Sequence, residues 1–165
     1  ISAAEWADSE IRVMWDKQQP DGIVEGWHGD GNFARTTLMH SLWKTQGVTF
    51  QPWREDVRLG AVRAGDGLFL SVRTERPWQG RLVFDRPRHA DFMKLPLDWP
   101  RINQFPEWFV TIEGIGYRVT DIGGGVARSH SAADMRRGIP AETRAGSELR
   151  LRVDPQPAAP AGSAR

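Results

Sequence analysis

The stretch that decides the fold is residues 57–74, which read VRLGAVRAGDGLFLSVRT. Apolar and polar side chains alternate along residues 57–63 and again along residues 68–74, and the connection AGDG lies between the two runs. Alternation with a period of two is typical of a strand with one buried face, and a short connection that contains glycine indicates a hairpin. Residues 57–74 are therefore predicted to form an antiparallel β-hairpin.

The alternation continues on the C-terminal side of the hairpin. After a turn at residues 77–80, residues 81–85 are a third predicted strand, and we expect it to join the hairpin as an antiparallel meander. Further strands are predicted at residues 108–112, 117–120, 126–129 and 148–153, with one short helical turn at residues 131–137. Residues 48–153 are thus predicted to form an antiparallel β-sandwich of six to eight strands.

Two other segments depart from this pattern. Residues 86–107 contain four prolines, which exclude a long helix or a central strand. The same residues are rich in apolar side chains, so we expect an ordered excursion that packs across the sheet or over the helices. Residues 154–165 are rich in Pro, Ala, Gly and Ser, and this composition predicts a disordered tail.

The N-terminal residues have a helical period instead. Ser2 followed by Glu5 is a capping-box signature, and apolar residues at helical spacing follow it, so a helix is predicted at residues 3–17. A second helix is predicted at residues 32–46. Helices followed by strands indicate separate layers, so the predicted fold class is α+β, with a helical hairpin over residues 1–47 followed by the antiparallel β-sandwich.

The composition excludes several classes of function. The 22 basic and 21 acidic side chains give a net charge of +1, which offers no reason to expect nucleic acid as a partner. No run of about 18 apolar residues is present, so no membrane span is expected. Without cysteine there are no disulfides, thiolate metal ligands or cysteine nucleophiles. The four histidines are well separated and form no HExxH motif, so no metal site is expected. The chain also has no phosphate loop and no dinucleotide glycine fingerprint, so no cofactor is expected.

The candidate active centre is the glycine-rich stretch GWHGDGNFAR, residues 26–35, which leads into the second predicted helix. His28 is a candidate for proton transfer because imidazole titrates near neutral pH. Asp30 is a candidate base or nucleophile. The structural alternative is that His28 only packs and that Asp30 caps the helix.

Three more residues of this loop are candidates for binding a substrate. Trp27 offers a flat face to a sugar ring, while Asn32 and Arg35 have the donors to hold hydroxyls or carboxylates. The structural alternatives are that Asn32 caps the helix and that Arg35 pairs with Asp30. The coincidence of all five polar and aromatic residues in one loop favours a functional role.

A second polar cluster, RPRH, occupies residues 86–89. Arg88 and His89 are candidates for contacting an anionic substrate, and a solvated turn is the structural alternative. Of the remaining histidines, His40 lies inside the second predicted helix and is interpreted as a packed or interface residue. His130 is predicted to lie exposed in a loop.

Helices, a glycine-rich polar loop and then a β-sandwich resemble the C-terminal end of large carbohydrate-active enzymes. In several glycoside hydrolases and in the heparinase-like polysaccharide lyases, an (α/α) toroid carries the active cleft and a β-sandwich packs behind it. The resemblance covers the order of elements over residues 1–153 and includes no catalytic motif. It is therefore a likeness of fold, which by itself does not specify a reaction.

The resemblance implies that residues 1–47 are the last helical hairpin of a toroid whose earlier helices precede Ile1. The chain would then be a fragment whose partners are a carbohydrate substrate and the N-terminal helical domain of the same parent chain. Its loop would line one wall of the cleft, and we expect it to be inactive alone. A glycosidase needs a second carboxylate, for which the candidates are Glu25, Asp98 and Glu107. A uronic-acid lyase would instead use His28 for proton transfer, with Asn32 and Arg35 to neutralise the substrate carboxylate.

The alternative is a non-catalytic module. In that case the β-sandwich is the working part, with Trp78 or Trp99 exposed and stacked on glycans, or the chain is a purely structural accessory domain. The orientation of the tryptophans discriminates between these hypotheses. A row of exposed rings on a sheet face would favour binding, whereas Trp27 in a concave pocket beside His28 and Asp30 would favour an enzyme.

Overall fold

The chain begins with two helices. The computed structural model describes residues 2–20, 31–92, 94 and 108–156, with only the backbone of His89, and in it α1 spans Ala3–Trp15 and α2 spans Asn32–Thr45. The predicted capping box is present, because the Ser2 hydroxyl accepts from the Glu5 N–H at 3.2 Å and the Glu5 carboxylate accepts from the Ser2 N–H at 2.7 Å. Both helices begin where they are predicted to begin.

Eight strands and two short helices follow. They are β1 (Thr49–Gln51), β2 (Arg58–Ala64), β3 (Gly67–Arg73), β4 (Trp78–Val83), α3 (Arg88–Asp91), β5 (Gly116–Asp121), β6 (Ala127–Ser131), α4 (Ala132–Arg137), β7 (Ile139–Thr143) and β8 (Glu148–Gln156). The strands form two antiparallel sheets, one ordered β1-β4-β7 and the other β2-β3-β8-β5-β6.

The two sheets share one hydrophobic core, which makes them a β-sandwich. Trp78, Leu82 and Ile139 of the smaller sheet belong to the same buried cluster as Leu70 and Val153 of the larger one. The predicted α+β class, with two helices followed by an antiparallel β-sandwich, is confirmed. The chain divides into two compact units, Ile1–Trp43 and Lys44–Arg165.

The predicted meander is wrong, although its hairpin is confirmed. β2 and β3 pair as predicted, with Val62 opposite Phe69. The second neighbour of β3 is β8, through Leu70 opposite Leu151, whereas β4 lies in the other sheet between β1 and β7. The alternation of side chains specifies which face of each strand is buried, but it does not specify which strand pairs with it.

Three further predictions about the strands are corrected. Residues 108–112 are not a strand of either sheet. Val110 forms an isolated parallel bridge with Asp85, in which the Thr111 N–H donates to the Asp85 carbonyl. β7 was not predicted because it contains Pro140, which an edge strand tolerates. The predicted tail overlaps β8, which pairs with β5 as far as Gln156, and residues 157–165 lie outside the described residues.

The Pro-rich excursion is described only at its start. It opens with α3, a short helix at residues for which a solvated turn was the structural alternative, and residues 93 and 95–107 lie outside the described residues. The predicted helical turn at residues 131–137 is confirmed as α4, which a capping box of Ser131 and Asp134 begins. His130 was predicted to be exposed in a loop, but it lies in β6 opposite Tyr117 and is half-buried.

A buried carboxylate ties the loop before β2 to the loop after β3. Asp56 accepts from both Nε and Nη2 of Arg54, from the N–H groups of Glu75 and Arg76 at 3.2 and 3.0 Å, and from Arg76 Nη2 at 3.1 Å. The Arg54 hydrogen bond, with those from Arg76, holds the pKa of Asp56 well below its ordinary value of 3.8. Five donors on one carboxylate fix the point where the chain leaves one sheet for the other.

Asp56→Asn is expected to lower Tm by several degrees at neutral pH. A carboxyl whose pKa is depressed by folding stabilises the protein above its unfolded pKa, and that contribution is lost as the pH falls toward the folded pKa. When the pH is lowered below about 4, the Tm of the unmodified protein should therefore decrease and approach the Tm of the variant. Thermal unfolding between pH 7 and strong acid measures both curves. Asp66→Asn, in the exposed β2–β3 turn, is the control and should leave Tm nearly unchanged. Equal effects of both variants on Tm would contradict the stabilising role of the Asp56 carboxylate.

Candidate functional site

The predicted catalytic pair falls in a part of the chain that the structure does not describe. His28, Asp30 and the neighbouring Trp27 belong to residues 21–30, which lie outside the described residues. Their roles therefore stay predictions. The same holds for the three candidate second carboxylates, Glu25, Asp98 and Glu107.

The other two loop residues lie at the start of α2. Asn32 is the first residue of α2, so the residue at the position before the helix, where Asn32 was expected as a cap, is Gly31. The Arg35 N–H donates to the Gly31 carbonyl at 3.0 Å and closes the first turn. Both side chains are exposed, so Asn32 and Arg35 are placed on the surface of the turn that follows the predicted catalytic loop.

Arg88, in the second predicted cluster, is held by a carboxylate of its own chain. Its Nε donates to both oxygens of Asp85, at 2.8 and 3.1 Å, and Trp108 Nε1 donates to Asp85 Oδ2 at 3.0 Å. An anionic substrate at Arg88 would have to compete with this ion pair. His89 lies in the same helix, α3, and its side chain is not among those described.

The predicted tryptophan platform on the sandwich is corrected. Trp78 is buried in the core, its ring lies edge-on to Phe50 at 5.9 Å, and its Nε1 donates to the Pro52 carbonyl at 3.2 Å. A ring in this position is part of the hydrophobic core and is not exposed to stack on a glycan. Trp99, the other candidate, lies outside the described residues.

A polar and aromatic cluster that was not predicted lies on the helical unit. His40 Nε2 is 2.8 Å from Asp8 Oδ1, and the two side chains are 8% and 36% exposed. The rings of Trp15 and Trp43 lie edge-on to the imidazole, with centroid distances of 5.8 and 5.7 Å. Both tryptophans keep part of their surface in solvent, at 46% and 39% exposure. We call Asp8, Trp15, His40 and Trp43 the helical cluster.

Hydrogen bonding decides which imidazole nitrogen carries the proton. A carboxylate can only accept, so His40 Nε2 donates to Asp8 and the neutral ring keeps its lone pair on Nδ1. That Nδ1 is buried and has no hydrogen-bond partner within the described part of the chain. The His40 side chain is packed, as its position in the second helix indicated. Its hydrogen bond to Asp8 keeps the Asp8 carboxylate at a partly exposed position.

Spacing in the sequence carried a signal for this cluster. Asp8 and Trp15 are seven residues apart on α1, and His40 and Trp43 are three apart on α2, so each pair lies on one helix face. Nothing in the local sequence indicates that those two faces lie together, and the helical spacing predicts Trp15 only as an apolar position of α1.

The described residues show neither a metal centre nor a membrane span. No three His, Asp or Glu side chains among them come together as ligands for a metal ion. None of the helices within those residues is long and apolar enough to cross a bilayer.

Comparison with protein-family models, with curated proteins and with solved structures finds no significant match to this chain.

Proposed function

We propose that the chain is the C-terminal part of a carbohydrate-active enzyme, a glycoside hydrolase or a polysaccharide lyase, and that its helical unit forms one wall of the substrate cleft. The observation that carries the proposal is the helical cluster, in which one imidazole contacts a partly exposed carboxylate and two partly exposed tryptophan rings. Sugar rings have apolar faces that stack on indoles and hydroxyls that donate to carboxylates, so this combination suits a carbohydrate subsite.

Each member of the cluster has a role in the proposal. Trp15 and Trp43 stack on sugar rings, and Asp8 accepts hydrogen bonds from sugar hydroxyls and moves a proton at the bond that breaks. His40 is a positioning residue. Its side chain is nine-tenths buried, its Nε2 donates to the Asp8 carboxylate, and its ring makes edge contacts with both tryptophan rings.

The loop before α2 completes the proposed wall. His28 and Asp30 supply proton transfer, and Trp27, Asn32 and Arg35 bind the substrate. A glycosidase sets two carboxylates about 5–10 Å apart across the scissile bond, and Asp8 joins Asp30 as a candidate for that pair. The remaining walls belong, in this proposal, to an N-terminal helical domain of the same parent chain.

The test of the stacking roles is the effect of Trp15→Ala and Trp43→Ala on substrate binding. An aromatic contact contributes about 0.5–1.5 kcal/mol, so each substitution should raise KM by about 2- to 12-fold. The matched control is Trp53→Ala, which removes an exposed indole outside the helical cluster. Steady-state kinetics of the full-length protein measures the effect. An unchanged KM in both variants, or an equal rise in the control, would contradict the proposed wall.

A further inference from the structure

The outer face of the five-stranded sheet is rich in arginine. Residues directly opposite each other in an antiparallel pair project from the same face. Leu70, Val72, Leu151 and Val153 are buried, so the alternate residues of the same strands project outward. The outward basic residues of the sheet, all exposed, are Arg58 on β2, Arg73 on β3, Arg150 and Arg152 on β8, and Arg118 on β5.

The strand register places these arginines in one diagonal line, the arginine track. Arg58 lies opposite Arg73, and Arg73 lies opposite Glu148, which makes Arg150 the diagonal neighbour of Arg73. Diagonal neighbours in a sheet are about 7–8 Å apart.

The same relation extends the track to β5. Arg152 follows Arg150 on the same face of β8 and lies opposite Thr120, so Arg118 is its diagonal neighbour. The track crosses three strand spacings of about 4.8 Å and advances three two-residue steps of about 6.7 Å along the strands. Because these two directions are perpendicular, the length of the track is about 25 Å.

Few carboxylates offset this charge. Glu148, which accepts from the Ser71 hydroxyl, and Asp154, which pairs with Arg152 at 2.9 Å, are the acidic residues on the outer face of these strands. Arg58, Arg73, Arg118 and Arg150 form no ion pair with any described residue. Arg58 and Arg73 are like charges placed directly opposite each other, so the face has a net positive charge that favours an anionic ligand.

We propose that the arginine track binds an extended anionic polysaccharide, whose carboxylate or sulfate groups pair with successive guanidinium groups. The planar guanidinium forms bidentate contacts with such groups. The track is longer than a single small anion, so its charge pattern suits a linear polymer that lies diagonally across the sheet. This surface is on the unit Lys44–Arg165 and is distinct from the helical cluster, so the inference goes beyond the proposed cleft wall.

The aromatic content of the face favours polysaccharide over nucleic acid. Proteins that bind single strands stack successive bases on several aromatic rings. The outward side chains of the track's strands include one aromatic ring, Phe69, and the Arg152 guanidinium already lies over it at 5.5 Å. Val62, opposite Phe69, adds a small apolar surface that suits the apolar face of a sugar.

The test is binding of the 165-residue chain to polygalacturonate and to dextran sulfate, measured by calorimetry at low and high salt. Arg73→Gln/Arg150→Gln removes the centre of the track, and we expect it to weaken binding on the order of tenfold. The matched control is Arg81→Gln/Arg144→Gln, which removes two exposed arginines from β4 and the β7–β8 turn and should bind like the unmodified chain.

The outcomes separate the alternatives. Binding that high salt and the track variant both weaken, with no binding of neutral dextran, supports the proposal. Equal binding by the track variant and the unmodified chain would overturn it, as would tighter binding of oligo(dT) than of either polyanion. The variant Arg73→Gln/Arg150→Gln leaves the helical cluster intact, so its loss of polyanion binding tests the track alone, whereas an unchanged KM in Trp15→Ala and Trp43→Ala would contradict only the cleft wall.

Discussion

Asp8→Asn is expected to lower kcat of the full-length protein by about 10²- to 10⁴-fold, the range that a positioned general acid or base contributes. Asparagine keeps an oxygen that accepts from His40 Nε2, so the contact between α1 and α2 survives while the charge and the exchangeable proton are lost. Tm should therefore change little. Steady-state kinetics and thermal unfolding on the same preparation separate the two effects.

Asp66→Asn is the matched control for this substitution, because it makes the same chemical change at an exposed turn of the sandwich. It should leave kcat and Tm unchanged. If Asp8→Asn keeps full turnover and only Tm falls, Asp8 is a structural partner of His40, and the catalytic role is wrong. His40→Gln should lower kcat more than it raises KM, since a positioning residue acts through Asp8.

Gly80→Ala is expected to cost about 3 kcal/mol of unfolding free energy, the upper part of the usual range for overpacking a core. Gly80 lies in β4, and a Cβ added there would be 2.3 Å from the Gln51 carbonyl oxygen of β1 and 2.3 Å from the Trp78 ring. The indole can move only by leaving the core or by breaking its hydrogen bond to Pro52. Denaturant unfolding measures the change.

Gly60→Ala is the matched control within the same sandwich. Gly60 also lies inside a strand, β2, but a Cβ added there has no atom within 4 Å. Its effect should stay within about 0.5 kcal/mol. Equal stability of the two variants would show that the Trp78 ring does not pack over Gly80 in the way described.

Local signals in the sequence predicted most of the elements. Ser2 and Glu5 predicted the start of α1 because a capping box is complete within four residues, and the β2–β3 hairpin was predicted because its two strands and its turn are contiguous. The pairing of β3 with β8 and the placement of β4 in the other sheet depend on contacts between distant parts of the chain. Alternation within one strand carries no information about them.

The candidate site divides in the same way. Arg35 and Arg88 were found because they stand beside other polar residues in the sequence, and the ion pair of Arg88 with Asp85 is itself a local contact between residues three apart. The contact of Asp8 with His40 joins two helices, and the arginine track joins four strands, so neither is visible in a local window. Residues 77–80 were predicted to be a turn, which leaves Trp78 exposed, whereas Trp78 is the first residue of β4 and its ring is buried.

The most direct test of the proposed enzyme is turnover by the full-length protein on uronic-acid polysaccharides and their neutral counterparts, assayed for new reducing ends and for unsaturated uronate products. New reducing ends alone identify a hydrolase, and unsaturated products identify a lyase. We predict one of these products from at least one polysaccharide, and its loss in Asp8→Asn. No product from any of them, or products formed equally by Asp8→Asn and Asp66→Asn, would contradict the proposal that the helical cluster is part of an active cleft.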